Sequence, residues 1–194
     1  MKALILNGEE MEGLCLNEIS KSIKEELLAN NFEVEEIILK EKDVADCLGC
    51  FKCWVKNPGV CIIDDYGRDA AAELIDSDIL VYLTPIVFGS YSYQLKKALD
   101  RMIPLISPYF KKINGEIHHK KRYRTYPSIL GIGIIDKENN NQSQIFKELV
   151  ERNSINFHSP HFKSKVFLLD DNFDDKELKN AVETFSKKVG ELNE

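Results

Sequence analysis

The 194-residue chain carries 26 Lys and Arg against 32 Asp and Glu, a formal net charge of −6. That balance argues against a general nucleic-acid binder, which carries a basic excess. The length suits one ordinary domain with a full core. The longest apolar run, Ile79-Leu80-Val81-Tyr82-Leu83, breaks at Thr84-Pro85, well short of the roughly 20 residues that span a bilayer. The opening MKALILNG is too brief an apolar stretch for a secretory signal and turns acidic at once. A cytoplasmic protein without membrane or nucleic-acid partners is expected, in a compartment where thiols stay reduced.

In chain order, Lys2 to Leu6 reads as a short buried strand ending at Asn7-Gly8. Leu16, Ile19, Ile23 and Leu27 then recur at helical spacing up to Asn30-Asn31. Val34 to Leu39 is a second strand, and a cysteine-rich loop, 46–63, follows it. Asp64 or Asp65 is placed to cap a helix running to about Ser77. Ile79 to Thr84, apolar throughout, fits a parallel strand covered on both faces. A helix is predicted from about Tyr91 to Ile106, with Leu95, Leu99 and Met102 on one side. An excursion, 108–127, precedes a fourth strand from Ser128 to Ile135 and a helix from about Gln142 to Arg152. Lys165 to Leu169 gives a fifth strand. Leu178, Val182, Phe185, Val189 and Leu192 mark a closing amphipathic helix. Strand and helix alternate five times, which calls for a three-layer α/β sandwich around a parallel sheet. Ligands bind such sheets outside the carboxyl ends of the strands. The unusual residues of this chain fall at those ends.

The first unusual group is Cys47-x2-Cys50-x2-Cys53-x7-Cys61, four of five cysteines in one short stretch. Two-residue spacers let a single loop wrap three corners of an iron–sulfur cubane, with Gly49 easing the curve and Pro58-Gly59 returning the fourth thiol. Structural zinc is a rival, although its cysteines more often form two separated pairs. A disulfide-forming Cys50–Cys53 pair is another, and a metal-free loop of reduced thiols beside Trp54 is the plainest. Cys15, in the first helix, reads as an ordinary buried thiol.

The second group is TPIVFGSYSYQLKKALDR after the third strand. Pro85 ends the ladder, Gly89 permits a sharp turn, and exposed amides beside Phe88 suit a flat, hydrogen-bonding heterocycle. The plainer alternative is a strand-to-helix turn with Phe88 packed on the core. Together, KALILNG, CLGCFKCWVKNPGVCIIDD and TPIVFGSYSYQLKKALDR resemble the flavodoxin-like NADPH-dependent FMN reductase family, most closely its iron–sulfur flavoprotein branch. The resemblance covers about the first 110 residues by motif and the rest by element order. It implies a five-stranded flavodoxin-like sheet in order 2-1-3-4-5. It also implies FMN held by Asn7, Gly8, Thr84, Pro85, Ile86, Val87, Phe88, Gly89 and Ser90, and favours a [4Fe–4S] cluster on the four cysteines. A homodimer or homotetramer, in which a neighbour helps to cover the flavin, is implied as well.

The first loop departs from that family. Where the family has Gly-Ser-Pro-Arg and then Gly-Asn-Ser/Thr for the FMN phosphate, this chain has Gly8-Glu9-Glu10-Met11-Glu12-Gly13-Leu14-Cys15. A carboxylate ~6 Å from a phosphate costs about 3 kcal/mol at an effective dielectric near 20. Exposed glutamates are expected to swing aside. Acidic residues in a first helical turn account for Glu9, Glu10 and Glu12 equally well. In the excursion, His118, His119, Lys120, Lys121, Arg122 and Arg124 read as a solvated hairpin anchored by Tyr123 and Tyr126, in preference to an anion clamp. The function expected is FMN-dependent electron transfer from NAD(P)H or a ferredoxin-like donor to an acceptor, with no protein acid, base or nucleophile required. The rival is a non-catalytic or redox- or metal-sensing protein on the same fold, its phosphate site degraded.

Overall fold

The computed structural model describes residues 1–10, 16–170 and 173–191. They form β1 (Lys2–Asn7), α1 (Asn17–Ala29), β2 (Glu33–Ile38), α2 (Lys52–Val55), α3 (Tyr66–Ile75), β3 (Ile79–Pro85) and α4 (Tyr93–Asp100). Then come β4 (Ile106–Ile113), β5 (Glu116–Lys121), β6 (Ser128–Ile135), α5 (Asn140–Asn156), β7 (Phe162–Leu168) and α6 (Asp175–Gly190). Short 3-10 turns occupy Leu39–Glu41 and Ile103–Leu105. Five strands build a parallel sheet in order β2-β1-β3-β6-β7, with β4 and β5 as a separate antiparallel pair. Counting the main-sheet strands alone, this is the flavodoxin-like order 2-1-3-4-5 that the sequence predicts. No helix among the described residues is long and apolar enough to cross a membrane.

Alternation along the strands sends side chains to two separate cores. Leu4, Leu6, Leu80 and Tyr82 face Leu74 of α3, Leu95 of α4 and Phe146 and Val150 of α5. Ala3, Ile5, Val81 and Leu83 face Ile19, Ile23 and Leu27 of α1 and Val182 and Phe185 of α6. Each fully buried Leu or Ile contributes about 1.5–3 kcal/mol relative to exposure. The helices start where a side chain can satisfy free amides: Asp65 accepts from Gly67 N, Ser92 from Leu95 N, Asn139 from Gln142 N and Asp174 from Glu177 N.

Two elements differ from expectation. The helix predicted over Tyr91–Ile106 is only α4, because Arg101 caps it and Pro104 sits in the following 3-10 turn. Proline lacks the amide that a continuing helix needs and clashes with the preceding turn. The short α2 inside the cysteine loop was not foreseen. The basic excursion is the expected hairpin, closed by Asn114 (φ 49°) and Gly115 (φ 90°), the left-handed pair that matches strand twist.

On β6, Gly131 and Gly133 let α5 and the loop after β3 press close to the sheet. A Cβ on Gly133 would lie 2.7 Å from Ile86 Cδ1 and 2.8 Å from Phe146 Cε1. Gly133→Ala should therefore cost about 1–3 kcal/mol through overpacking. Urea unfolding measures this; an unchanged midpoint would show that the loop and α5 yield freely.

Candidate functional site

The carboxyl ends of β1 and β3 meet through a short hydrogen-bond chain. Gly8 N–H donates to Leu83 O at 2.8 Å, and Ser92 Oγ donates to Gly8 O at 2.6 Å. A Cβ on Gly8 would lie 2.8 Å from both Leu95 Cβ and Ser92 Oγ, so the close approach of β1 to α4 requires glycine. Asn7 is fully buried. Its Nδ2 donates to Glu36 Oε1 at 3.0 Å and its Oδ1 accepts from Glu9 N at 3.1 Å. Asn7 thus shapes the loop from below. Thr84, also buried, accepts from Ser92 N at 2.9 Å and donates to Pro85 O at 2.9 Å.

Beyond Pro85, Ile86 N continues to Ile134 O, and Val87 and Ser90 bond each other's backbone at 3.0 and 2.9 Å. Phe88 (φ 51°) and Gly89 (φ 82°) form the tip in the left-handed region. That region is strained for a bulky aromatic residue, and such outliers concentrate at functional sites. Phe88 does not pack on the core, as the plainer reading has it: its residue is 89% exposed. Gly89 is pinned from behind, since a Cβ there would meet Ile145 Cγ2 at 2.8 Å. The result is a rigid turn with an exposed ring and, among the described residues, tip amides of Phe88 and Gly89 that bond no protein group.

The first loop departs from the exposed glutamates expected. Glu9 is buried, and its carboxylate pairs with Lys40 Nζ at 2.9 Å. The pairing and burial hold it in place, so it does not swing aside. Glu10 Oε1 accepts from Tyr93 N at 3.0 Å, at the first turn of α4 where a negative charge is favoured. Tyr93 OH in turn donates to Asp46 at 3.2 Å, one residue before the cysteines. Glu12 and Cys15 lie outside the described residues.

In the cysteine loop, Gly49 (φ 59°) and Phe51 (φ 54°) curve the backbone into α2. Gly59 N–H then returns to Cys53 O at 2.9 Å. The four thiols are free, and all four line one small cavity together with Gly49, Ile63, Arg101 and Pro104. Burial pushes the Cys53 thiol up, and the neighbouring Cys61, Cys47 and Cys50 add to that effect. Among the described residues, no three His, Cys, Asp or Glu side chains form a single-ion site. Trp54 braces the loop by donating Nε1–H to Ile103 O and Ile106 O at 3.0 Å each. Its ring stacks on Phe51 and tilts against His119, both at 5.1 Å between centroids.

The residue that sequence reasoning missed is Arg101. Its side chain is fully buried, and its two Nη atoms bind the Asp65 carboxylate at 2.7 Å each. It also donates to Ala45 O at 2.8 Å and Ile63 O at 3.3 Å, gripping both flanks of the cysteine loop. The signal was available: Arg101 falls on the stripe Leu95, Ala98, Met102, Leu105, all buried. Burial opposes its charge, but the Asp65 hydrogen bonds and the nearby Cys61 and Asp65 charges more than restore it. In the hairpin, Arg122 Nε donates to Pro104 O at 2.8 Å, and His119 Nδ1 lies 2.7 Å from Ser107 O. His118 lies 3.0 Å from Glu116. These three basic side chains hold the hairpin to the body.

The profile of the NADPH-dependent FMN reductase family matches residues 1–120, and the chain belongs to that family. An iron-sulfur flavoprotein of Methanocaldococcus jannaschii is 34% identical over 109 residues, 54% of this chain and 53% of that protein. One of Methanosarcina thermophila is 26% identical over 105 residues, 54% of each chain. The chain thus spans about half the length of the curated relatives it matches. Among solved structures, an NAD(P)H:quinone oxidoreductase from Methanothermobacter marburgensis superposes with TM-score 0.69 at 10% identity, over 97% of this chain and 96% of that one. An FMN-dependent NADH-azoreductase from Bacillus anthracis, solved with FMN, gives TM-score 0.65 at 14% identity over 100% of both. At those identities the likeness is one of fold.

The Asp65–Arg101 pair yields a pH test. Burial alone would raise the Asp65 carboxyl, but Arg101 and the Ala45 and Gly67 amides outweigh it and hold it below its ordinary value of 3.8. A depressed carboxyl stabilises the fold fully above the unfolded pKa, and that share is lost as pH falls through the folded value. Asp65→Asn should cost about 3–5 kcal/mol at neutral pH by stranding a buried charge. The gap from wild type should close as pH drops below about 4, followed by urea unfolding. A gap independent of pH would place the cost in lost packing.

Proposed function

We propose that this chain is an FMN-dependent oxidoreductase that takes electrons from NAD(P)H or a ferredoxin-like donor, with a [4Fe–4S] cluster on Cys47, Cys50, Cys53 and Cys61. The observation that carries the proposal is the placement of two unusual loops at the two ends of α4. Ser92, at the start of α4, is bonded to Thr84 and Gly8, and Arg101, at its end, lines the cysteine cavity. Eight residues at 1.5 Å each separate them by about 12 Å, short enough for electrons to pass between centres held at the two ends.

The residues at hand fit both groups in kind. The rigid turn of Pro85 to Ser90 offers two unbonded amides and an exposed Phe88 ring, which suits the edge and face of an isoalloxazine. Four reduced thiols around one cavity are the donor set of an iron–sulfur cluster, whereas a single zinc ion calls for the tight group of ligands not found here. When bound, the flavin supplies hydride and single-electron chemistry and the cluster single-electron transfer. The chain's own share is to hold Thr84 and Gly8 beneath the turn, keep Gly89 against Ile145, and brace the cysteine loop with Trp54 and Arg101. Asn7 supports this arrangement from below. A second copy over the exposed Phe88 would exclude water from the ring, in keeping with a homodimer or homotetramer.

A second reading is favoured by Glu9: its buried carboxylate, paired with Lys40, stands near where a 5′-phosphate would lie, as in a flavodoxin-like sensor that has lost its phosphate site. Fluorescence titration of the apo-protein separates the two. Saturable FMN binding below high-micromolar concentration is expected, with FMN gaining about tenfold over riboflavin in Glu9→Gln as one repulsive charge is removed. No saturable flavin binding would overturn the enzyme reading, and equal gains for both flavins would clear Glu9 of a phosphate-specific role.

A further inference from the structure

We infer that Arg101 sets the redox poise of the cysteine site: its buried charge and its unused Nε–H act on the sulfur of Cys61. This rests on the cluster reading above and adds a residue to it. The guanidinium has no exposed surface and lines the same cavity as the four thiols. Four bonds, two to Asp65 and one each to Ala45 O and Ile63 O, occupy its Nη atoms. Nε is left buried without a protein partner. The Cys61 side chain is the next group whose charge acts on Arg101 after its Asp65 hydrogen bond. Arg68 Nε holds the Cys61 carbonyl at 2.8 Å, so the sulfur is presented from a fixed backbone.

An interior ion pair is a poor device for stability, since apolar residues of the same volume commonly serve as well or better. Leucine or methionine would complete the buried stripe of Leu95, Ala98, Met102 and Leu105. What an arginine adds is a fixed positive charge and a spare donor facing thiolate sulfur. The potential of a thiolate-held cluster is governed by net charge, hydrogen bonds to sulfur and solvent exposure. Uptake of one electron adds one negative charge and forms or breaks no bond at the ligands. A buried cation beside Cys61 favours that step, and Asp65 partly offsets it.

The arrangement makes a test by sign. In protein reconstituted anaerobically with iron and sulfide, the cluster is titrated with dithionite as electron source, and its midpoint is read by absorbance and electron paramagnetic resonance. Arg101→Gln leaves Asp65 uncompensated and should weaken reduction about tenfold, or 59 mV for one electron. Asp65→Asn unmasks Arg101 and should favour reduction by a similar factor. Arg101→Lys, which keeps the charge and loses Nε–H, should recover more than half of the loss. Iron and sulfide per chain should stay at the wild-type level, since neither residue is a ligand. Shifts of the same sign in Arg101→Gln and Asp65→Asn, or none in either, would mean that the pair is a structural staple and would overturn the inference. If Arg101→Gln does not fold, the sign of the Asp65→Asn shift decides. A wild-type chain that takes up no iron would bring down the cluster reading and this inference with it. A loaded chain with unshifted variants would bring down the inference alone.

Discussion

The ion pair between Arg101 and Asp65 is the constraint on which the site depends. One carboxylate caps α3 through Gly67 N, accepts the amide of Ala45 and takes both Nη atoms of Arg101. The end of α4, the start of α3 and both flanks of the cysteine loop are thereby tied at one buried point. Losing either partner would strand a charge in the interior, a penalty of about 3–5 kcal/mol. With the knot in place, a loop of poor intrinsic order carries its four thiols in one place.

The other end of α4 is fixed by weaker means, but many of them. Ser92 caps the helix and bonds Gly8 O, Thr84 accepts from Ser92 N, and Glu10 accepts from Tyr93 N. Each such bond is worth about 0.5–1.5 kcal/mol net, yet together they hold a turn whose tip stands in the left-handed region at Phe88. The sheet gives α4 its bearing surface, and β6 gives α5 room to brace Gly89 through Ile145. Rigidity at the turn and at the thiols thus has two sources joined by one short helix.

Much of this was legible in the sequence, because hydrophobic periodicity is a local signal. Strand and helix alternation, the parallel sheet and its order, and the caps at Asp65 and the cysteine spacing could all be read residue by residue. The illegible parts depend on contacts far apart in sequence. Arg101 and Asp65 are 36 residues apart, and nothing local marks a charged residue on an apolar stripe as paired. Glu9 looked like a solvent-facing acid of a first helical turn, because Lys40 is remote in sequence and only the fold brings its ammonium 2.9 Å away. Phe88 could pack inward or point outward on pattern alone; the crossing of Ile145 behind Gly89 fixed it outward. The length of α4 was overstated because an apolar stripe continues through Met102 and Leu105 after the helix itself has ended.

The account's central claim is that the two ends of α4 serve two redox centres. The most direct test is the composition of freshly purified protein reconstituted without oxygen, assayed for FMN, iron and acid-labile sulfide and recorded by absorption spectroscopy. The account predicts one FMN with four irons and four sulfides per chain, the stoichiometry of a [4Fe–4S] centre, with iron and sulfide lost in Cys53→Ser while the flavin stays. A colourless protein with one zinc and no sulfide, or reduced cysteines that take up no metal at all, would contradict it.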